Sequence, residues 1–196
     1  MKRAIVFLAL FACSAFSSQA AIDLTPALKE YTSEGIAFKQ LVFNDGAGQI
    51  SYDLPSRWSY RADGDSIKLA PPNGSDADVV ILARPLPRAQ PFDDNGIAAA
   101  REHFVQGVPV SVQAMRIVSE QLNTVPFKAD NYEITASYEA LGKIFTRRAL
   151  YINLPGTQLI FRLSARNGEF DGLWRTLRRS ILSWQSQEPT AAVAEK

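Results

Sequence analysis

Residues 168–184 read GEFDGLWRTLRRSILSW, and the reading of this stretch decides the fold. Phe170, Leu173, Trp174, Leu177, Ile181 and Trp184 recur at i, i+3, i+4, i+7, i+11 and i+14, which makes one apolar stripe on a helix of 3.6 residues per turn. Arg175, Arg178 and Arg179 lie between them and point elsewhere. A helical face carrying two tryptophans has to cover a broad apolar surface. Asn167 stands where a side chain can cap the first turn.

The strands just before this helix can supply that surface. Tyr132, Ile134, Ala136 and Tyr138 alternate with Glu133, Thr135, Ser137 and Glu139, the cleanest period-two pattern in the chain. Leu141-Gly142 turns it, Ile144 to Asn153 returns, and Leu154-Pro155-Gly156-Thr157 places proline and glycine at the centre of a type II turn. Leu159, Phe161, Leu163 and Ala165 then form the next inward face. Further upstream, Ile36 to Phe43 and Ile50 to Leu54 read as strands, with turn formers at residues 44–48 between them. Arg57-Trp58-Ser59-Tyr60 reads as a loop or irregular strand, Asp63-Gly64 as a hairpin turn, and Val79 to Leu82 as a strand covered on both faces. A first helix over Asn95–Gln106 starts at a capping Asp93 or Asp94 and stops at Gly107, with Pro109 beyond. Ala114 to Leu122 reads as a strand.

Short hairpin turns favour antiparallel pairing over crossover connections, and both helices need a sheet face. The fold class that follows is α+β: an α/β/α sandwich with a central, mainly antiparallel sheet flanked by helices. One domain spans residues 35–185. Residues 21–34 precede it as an N-terminal arm, with a short helix from Thr25-Pro26 as the alternative, and residues 186–196 are a disordered tail.

Residues 1–20 read as a signal peptide, with Lys2 and Arg3 before an apolar run, and Ser18-Gln19-Ala20 as a cleavage site. The run is too short for a permanent membrane span. Leu10-Phe11-Ala12-Cys13 is also similar to a lipobox, in which Cys13 would be acylated and the domain tethered to a membrane. The expected location is therefore export to the periplasm or outside the cell, with membrane anchoring as the alternative. Cys13 is the only cysteine, so cleavage after Ala20 leaves a domain without disulfides, thiol chemistry or cysteine–zinc sites. The chain holds 21 Lys and Arg against 20 Asp and Glu; losing Lys2 and Arg3 turns the +1 balance slightly negative. That total points to neither nucleic acid nor a charged membrane.

Catalytic and metal constellations are missing. The single histidine, His103, cannot form a histidine pair for zinc, and no Gly-x-Ser-x-Gly elbow accompanies it. Asp63-Gly64-Asp65, Asp76-x-Asp78 and Asp93-Asp94 lack calcium-loop spacing and suit turns and caps. Gly46-Ala47-Gly48 lacks the lysine of a phosphate loop. The expectation is no enzyme, no cofactor and no metal. Two sets of residues are candidates for contact with a partner. Arg147 and Arg148 are adjacent on a strand and face opposite ways, while Arg162, with Arg166, lies on the next strand. Arg175 and Arg179 sit one helical turn apart. If Arg147 or Arg148 emerges near Arg162, the arginines make a positive face for an acidic partner; otherwise they are a solvated face paired with local glutamates. Trp58 and Tyr60 either anchor a partner or close one end of the sheet.

Three segments carry a family likeness. Ile50-Ser51-Tyr52-Asp53-Leu54-Pro55-Ser56-Arg57-Trp58 is similar to the early strand, proline and tryptophan opening of the PsbP-like superfamily, which also contains the Ran-binding Mog proteins and the bacterial DcrB group. The three-strand run from Tyr132 to Ala165 matches its order, and Glu169-Phe170-Asp171 with Ile181-Leu182-Ser183-Trp184 resembles its closing helix. The resemblance implies a small, non-enzymatic, partner-binding domain with no shared active site. The partner would be a protein or a cell-envelope component; a small-ligand carrier with a pocket between sheet and helix is the alternative.

Intact mass spectrometry of the exported protein checks the leader. The expected mature chain begins at Ala21; an acylated chain beginning at Cys13 would establish the lipoprotein instead.

Overall fold

The computed structural model describes residues 22–44, 48–86, 90–108, 112–127 and 129–187. Residues 1–20, read above as a signal peptide, and Cys13 among them lie outside the described residues. In chain order the elements are β1 (Ala27–Ser33), β2 (Ile36–Asn44), β3 (Gln49–Asp53), β4 (Ser59–Ala62), β5 (Ser66–Ala70), β6 (Asp78–Pro85), α1 (Asp94–Gln106), β7 (Gln113–Leu122), β8 (Asn131–Ala140), β9 (Lys143–Leu154), β10 (Thr157–Arg166), α2 (Asn167–Ile181) and β11 (Gln185–Gln187). The chain is α+β, as its hairpin turns and alternation imply. The strands form two antiparallel sheets rather than a single one: four strands ordered β1-β2-β3-β11 and seven ordered β4-β5-β6-β10-β9-β8-β7.

The turns do what their residues allow. Pro155-Gly156 joins β9 to β10 with Gly156 at φ 75, the left-handed position a type II turn gives to glycine. Leu141-Gly142 (φ 51 and 68) joins β8 to β9 with Ala140 opposite Lys143, and Glu34-Gly35 (φ 52 and 78) joins β1 to β2 with Ser33 opposite Ile36. Both are two-residue hairpins whose positive φ at each central position matches the twist of the strands.

Strand β10 divides the interior. Leu159, Phe161, Leu163 and Ala165 are buried with Leu150 and Ile152 of β9 in one apolar cluster, which takes in Phe170, Trp174, Leu177 and Ile181 of α2 together with Leu41, Phe43, Ile50 and Tyr52 of the small sheet. Ile160 belongs to a second cluster with Tyr132, Ile134, Ala136, Ala149 and Tyr151, where Ala100 and Phe104 of α1 pack. The period of two along β9 and β10 thus sends neighbouring residues into different cores. Asp93 caps α1 by accepting from the Gly96 amide at 2.9 Å. Arg101 then ties the helix to β7 through Glu120, at 2.5 and 2.7 Å, and the Tyr132 hydroxyl donates to the same carboxylate.

Several expectations are corrected. Residues 27–33 form neither a helix nor a loose arm: β1 pairs with β2 along its whole length, because all seven side chains are exposed and a helix there would bury nothing, whereas pairing satisfies the backbone. Ile22 and Leu24, before it, are buried, and the Leu24 amide donates to Gly64 O at 2.8 Å. The strands therefore begin upstream of residue 35. Trp184 lies beyond the end of α2 at Ile181; the turn that follows the helix folds it back to stack on Phe43 (5.6 Å, 22°) and meet Phe161 edge-on (5.8 Å, 89°). Gln185–Gln187 does not fray: it pairs with Gln49–Ser51, while the rest of the expected tail lies outside the described residues. Asn167 does not cap α2; it is the first helical residue, and its side chain accepts from Thr146 Oγ1 at 3.1 Å.

Trp174 is 4% exposed and stacks on Phe170 at 6.4 Å. Its indole N–H has no hydrogen-bond partner among the described residues, so truncation removes packing and the guanidinium of Arg148 over its ring, but no hydrogen bond. Trp174→Ala is expected to cost about 3–5 kcal/mol in urea unfolding. A loss below roughly 1 kcal/mol would place the residue against solvent.

Candidate functional site

Chain between the two sheets makes the most shaped surface. Strand β3 ends at Asp53; the Leu54 amide donates to Lys39 O at 2.8 Å, and buried Pro55 begins a tight turn closed by Trp58 N–H on Pro55 O at 3.0 Å. Ser59 then enters the large sheet. Within the turn Arg57 has φ 63, in the left-handed region that costs a side-chain-bearing residue about 1–2 kcal/mol. Glu34 and Leu141 share that conformation because two-residue hairpins demand it, and Asn73 and Asn123 are of a type that tolerates it. Arg57 has neither reason.

Two clefts open on either side of this turn, and Ser56, Arg57 and Trp58 line both. The larger, about 640 Å³, has an apolar rim of Trp58, Pro71, Pro72 and Leu173. Its other charges are already engaged: Arg166 pairs with Asp76, and Glu169 accepts from Ser75 Oγ at 3.0 Å. The smaller, about 410 Å³, runs along Ile36–Lys39 and Leu54–Trp58. Arg57 is exposed and has no ion-pair partner among the described residues. Trp58 is buried in the main core and Tyr60 is half-buried against it, so the pair closes the end of the sheet while the edge of Trp58 walls both clefts.

The arginines separate as the strand pattern requires. Arg148 faces α2 and lies over the rings of Trp174 and Phe170, at 5.0 and 5.3 Å, with Nε donating to Thr135 Oγ1 at 2.8 Å and Nη1 3.6 Å from Glu133. Arg147 faces α1. It does come near Arg162, but it is 3% exposed: Nε donates to Ser164 Oγ at 2.8 Å and Nη1 to Gly107 O at 2.6 Å. A methyl group on Gly107 would sit 3.3 Å from Arg162 Nη1 and 3.4 Å from Arg147 Nη1, so both guanidinium groups lie close against the helix end. Burial, then the neighbouring Arg162, lowers the Arg147 pKa. Arg162 pairs with Asp78 at 3.2 Å. Arg147 therefore holds the C-terminus of α1, whose free carbonyls attract cations. Arg175 and Arg179 are exposed on α2 with no ion-pair partner among the described residues, and Arg178 donates to Thr124 O at 2.6 Å.

His103 is half-buried, with Nδ1 3.1 Å from the Tyr151 hydroxyl. Burial lowers its pKa, and Arg84 of β6 and Arg162 of β10 lower it further. Among the described residues no group of three or more His, Cys, Asp or Glu side chains is placed to hold a metal ion. No helix there is long and apolar enough to cross a membrane.

Sequence reasoning named Trp58 but passed over Arg57, Lys39 and the Pro71-Pro72 rim. The position of Arg57 between a strand-ending proline and a tryptophan was a usable sign; its left-handed backbone was not readable from residue order.

No family model matches the chain, and no curated protein is similar to it in sequence. Solved structures are similar in shape. CyanoP, the cyanobacterial PsbP of Synechocystis sp. PCC 6803, superposes over 91% of this chain and 99% of its own, with 11% identity and a TM-score of 0.52. LpqN of Mycobacterium tuberculosis, described as involved in cell envelope biogenesis, covers 84% of this chain and 92% of its own at 13% identity and TM-score 0.49. PA94 of Pseudomonas aeruginosa, a protein of unknown function, covers 83% and 99% at 13% identity and TM-score 0.48. The match to CyanoP shows that this chain has the PsbP-like fold.

Two measurements check the site's physics. Arg57→Gly relieves a left-handed strain and is expected to leave the protein between zero and about 1 kcal/mol more stable; destabilisation would mean that the side chain holds the turn. The lowered pKa of His103 means that the unfolded chain binds its proton first, so stability falls as pH drops through the unfolded value of 6.5. His103→Gln should flatten urea-unfolding stability between about pH 7 and 5. An unchanged slope would assign it to other groups.

Proposed function

We propose that this chain is an exported, non-enzymatic accessory domain that docks on a protein or cell-envelope component. The observation that carries this reading is the pair of clefts meeting at the Arg57–Trp58 turn, an open concave surface set on a fully packed core. The PsbP-like fold supports it, and in this reading α1 covers one face of the large sheet while α2 with the small sheet covers the other, the α/β/α sandwich expected from the sequence, supported by the two apolar clusters on either side of β10. Arg175 and Arg179 on α2 are part of the proposed contact surface, and Trp58 forms its rigid wall, with Tyr60 packed on the same core. Arg147 and Arg148, which fix the two helices, and Arg162, which pairs with Asp78, belong to the scaffold in this reading.

The carrier reading is less well supported, because the space between sheet and α2 is filled by the buried Phe161, Trp174 and Trp184. Acylation at Cys13 would add a membrane tether without altering the docking surface.

Photo-crosslinking from positions 57 and 173 in cells tests the proposal. A discrete partner recovered from both positions, and absent when the crosslinker sits at exposed Leu141 on the β8–β9 turn, is expected. Equal, diffuse labelling from all three would overturn it.

A further inference from the structure

We propose that the smaller cleft recognises a short extended peptide segment in which a carboxylate stands beside an apolar side chain. This rests on the docking reading above and names its chemistry. Ile36, Ala37, Phe38, Leu54, Pro55 and Trp58 give the cleft apolar walls, and its only charges are Lys39 and Arg57. Among the described residues, no acidic side chain lines it. The one carboxylate near Lys39 is Glu30, 3.8 Å away and outside the lining, in a pair whose side chains are more than half exposed. A pair of that kind contributes little and yields readily to a competing anion. Arg57 has no competing ion pair among the described residues. An apolar trough lined by two cations, one of them without an ion-pair partner among the described residues, selects a ligand that joins an apolar group to an anionic one.

Form favours a peptide over a free amphiphile. Buried Leu54 and Trp58 close the cleft off from the core, so it is a shallow trough rather than a tunnel for an acyl chain. It shares Ser56, Arg57 and Trp58 with the larger cleft across the turn, which adds the apolar surfaces of Pro71 and Pro72. An extended chain can cross both, placing its carboxylate at the junction and successive side chains on either side. Ile36 is 59% exposed in the free protein, apolar surface that such a segment would cover. The strain at Arg57 fits the same account: a glycine would serve the turn better, and arginine there holds a cation between the clefts.

The test is panning of the full mature chain against a random short-peptide display library, followed by fluorescence-anisotropy titration of the enriched peptides. Enriched sequences should place Asp or Glu next to Leu, Ile or Phe and should bind more weakly as salt rises. Arg57→Glu and Lys39→Glu should each weaken binding roughly tenfold or more. Arg57→Gly should lose most of the binding while unfolding at the same or higher urea concentration, which separates recognition from folding. Neutral or basic enriched peptides, or acidic ones that bind Arg57→Glu as well as the parent, would overturn this inference and leave the docking reading to the crosslinking result. Binding to anionic phospholipid vesicles with no peptide enriched would overturn it in favour of a lipid surface, and no binding to either probe would overturn it outright.

Discussion

Pairing of β10 with β6 along one edge and β9 along the other holds the large sheet together. Both faces of that strand are covered, so its register is specified twice. A slip of one residue would push Leu159, Phe161, Leu163 and Ala165 toward α1 and bring Gln158, Arg162 and Ser164 into the aromatic core under α2. Few sequence positions tolerate such an exchange, which is why the strand fixes the placement of both helices and of the small sheet.

Polar groups inside the layers act as fasteners rather than as chemistry. Arg147 ends the dipole of α1, and Arg148 lies over the two aromatic rings at the start of α2. Near the end of α2, Ser180 Oγ donates to Asp53 O and Ser183 Oγ accepts from the Asp53 amide at 2.7 Å, which joins the helix end to β3. With both arginines committed to packing inside the layers, the arginines left exposed without an ion-pair partner among the described residues include Arg57 at the turn between the sheets and Arg175 and Arg179 on α2.

Much of this was legible in residue order because it depends on period alone. The α2 stripe, the β8–β10 meander and the opposed faces of Arg147 and Arg148 follow from spacings of 3.6 and 2. The failures share a different cause. Ala27–Ser33 carries no apolar periodicity, since it buries nothing, and its strand character comes only from a partner strand across a two-residue turn. Trp184 kept the helical spacing but is reached by a turn after the helix has ended. Two sheets could not be told from one, because strand pairing is long-range: Gln185–Gln187 meets Gln49–Ser51 across nearly the whole domain. At the candidate site Trp58 was visible as an aromatic, whereas the importance of Arg57 rests on a backbone angle and on the lack of a nearby acid.

The strand order also bears on how the chain can be built from its N-terminus. Strands β4, β5 and β6 make one part of the large sheet and β7, β8 and β9 the other, and β10, made after all six, is the only strand that touches both parts. The small sheet likewise waits for β11 at its edge. A growing polypeptide that has not yet reached Thr157 holds β4–β6 and β7–β9 as separate ribbons with no common neighbour strand, so the native interior cannot close until β10 has been made.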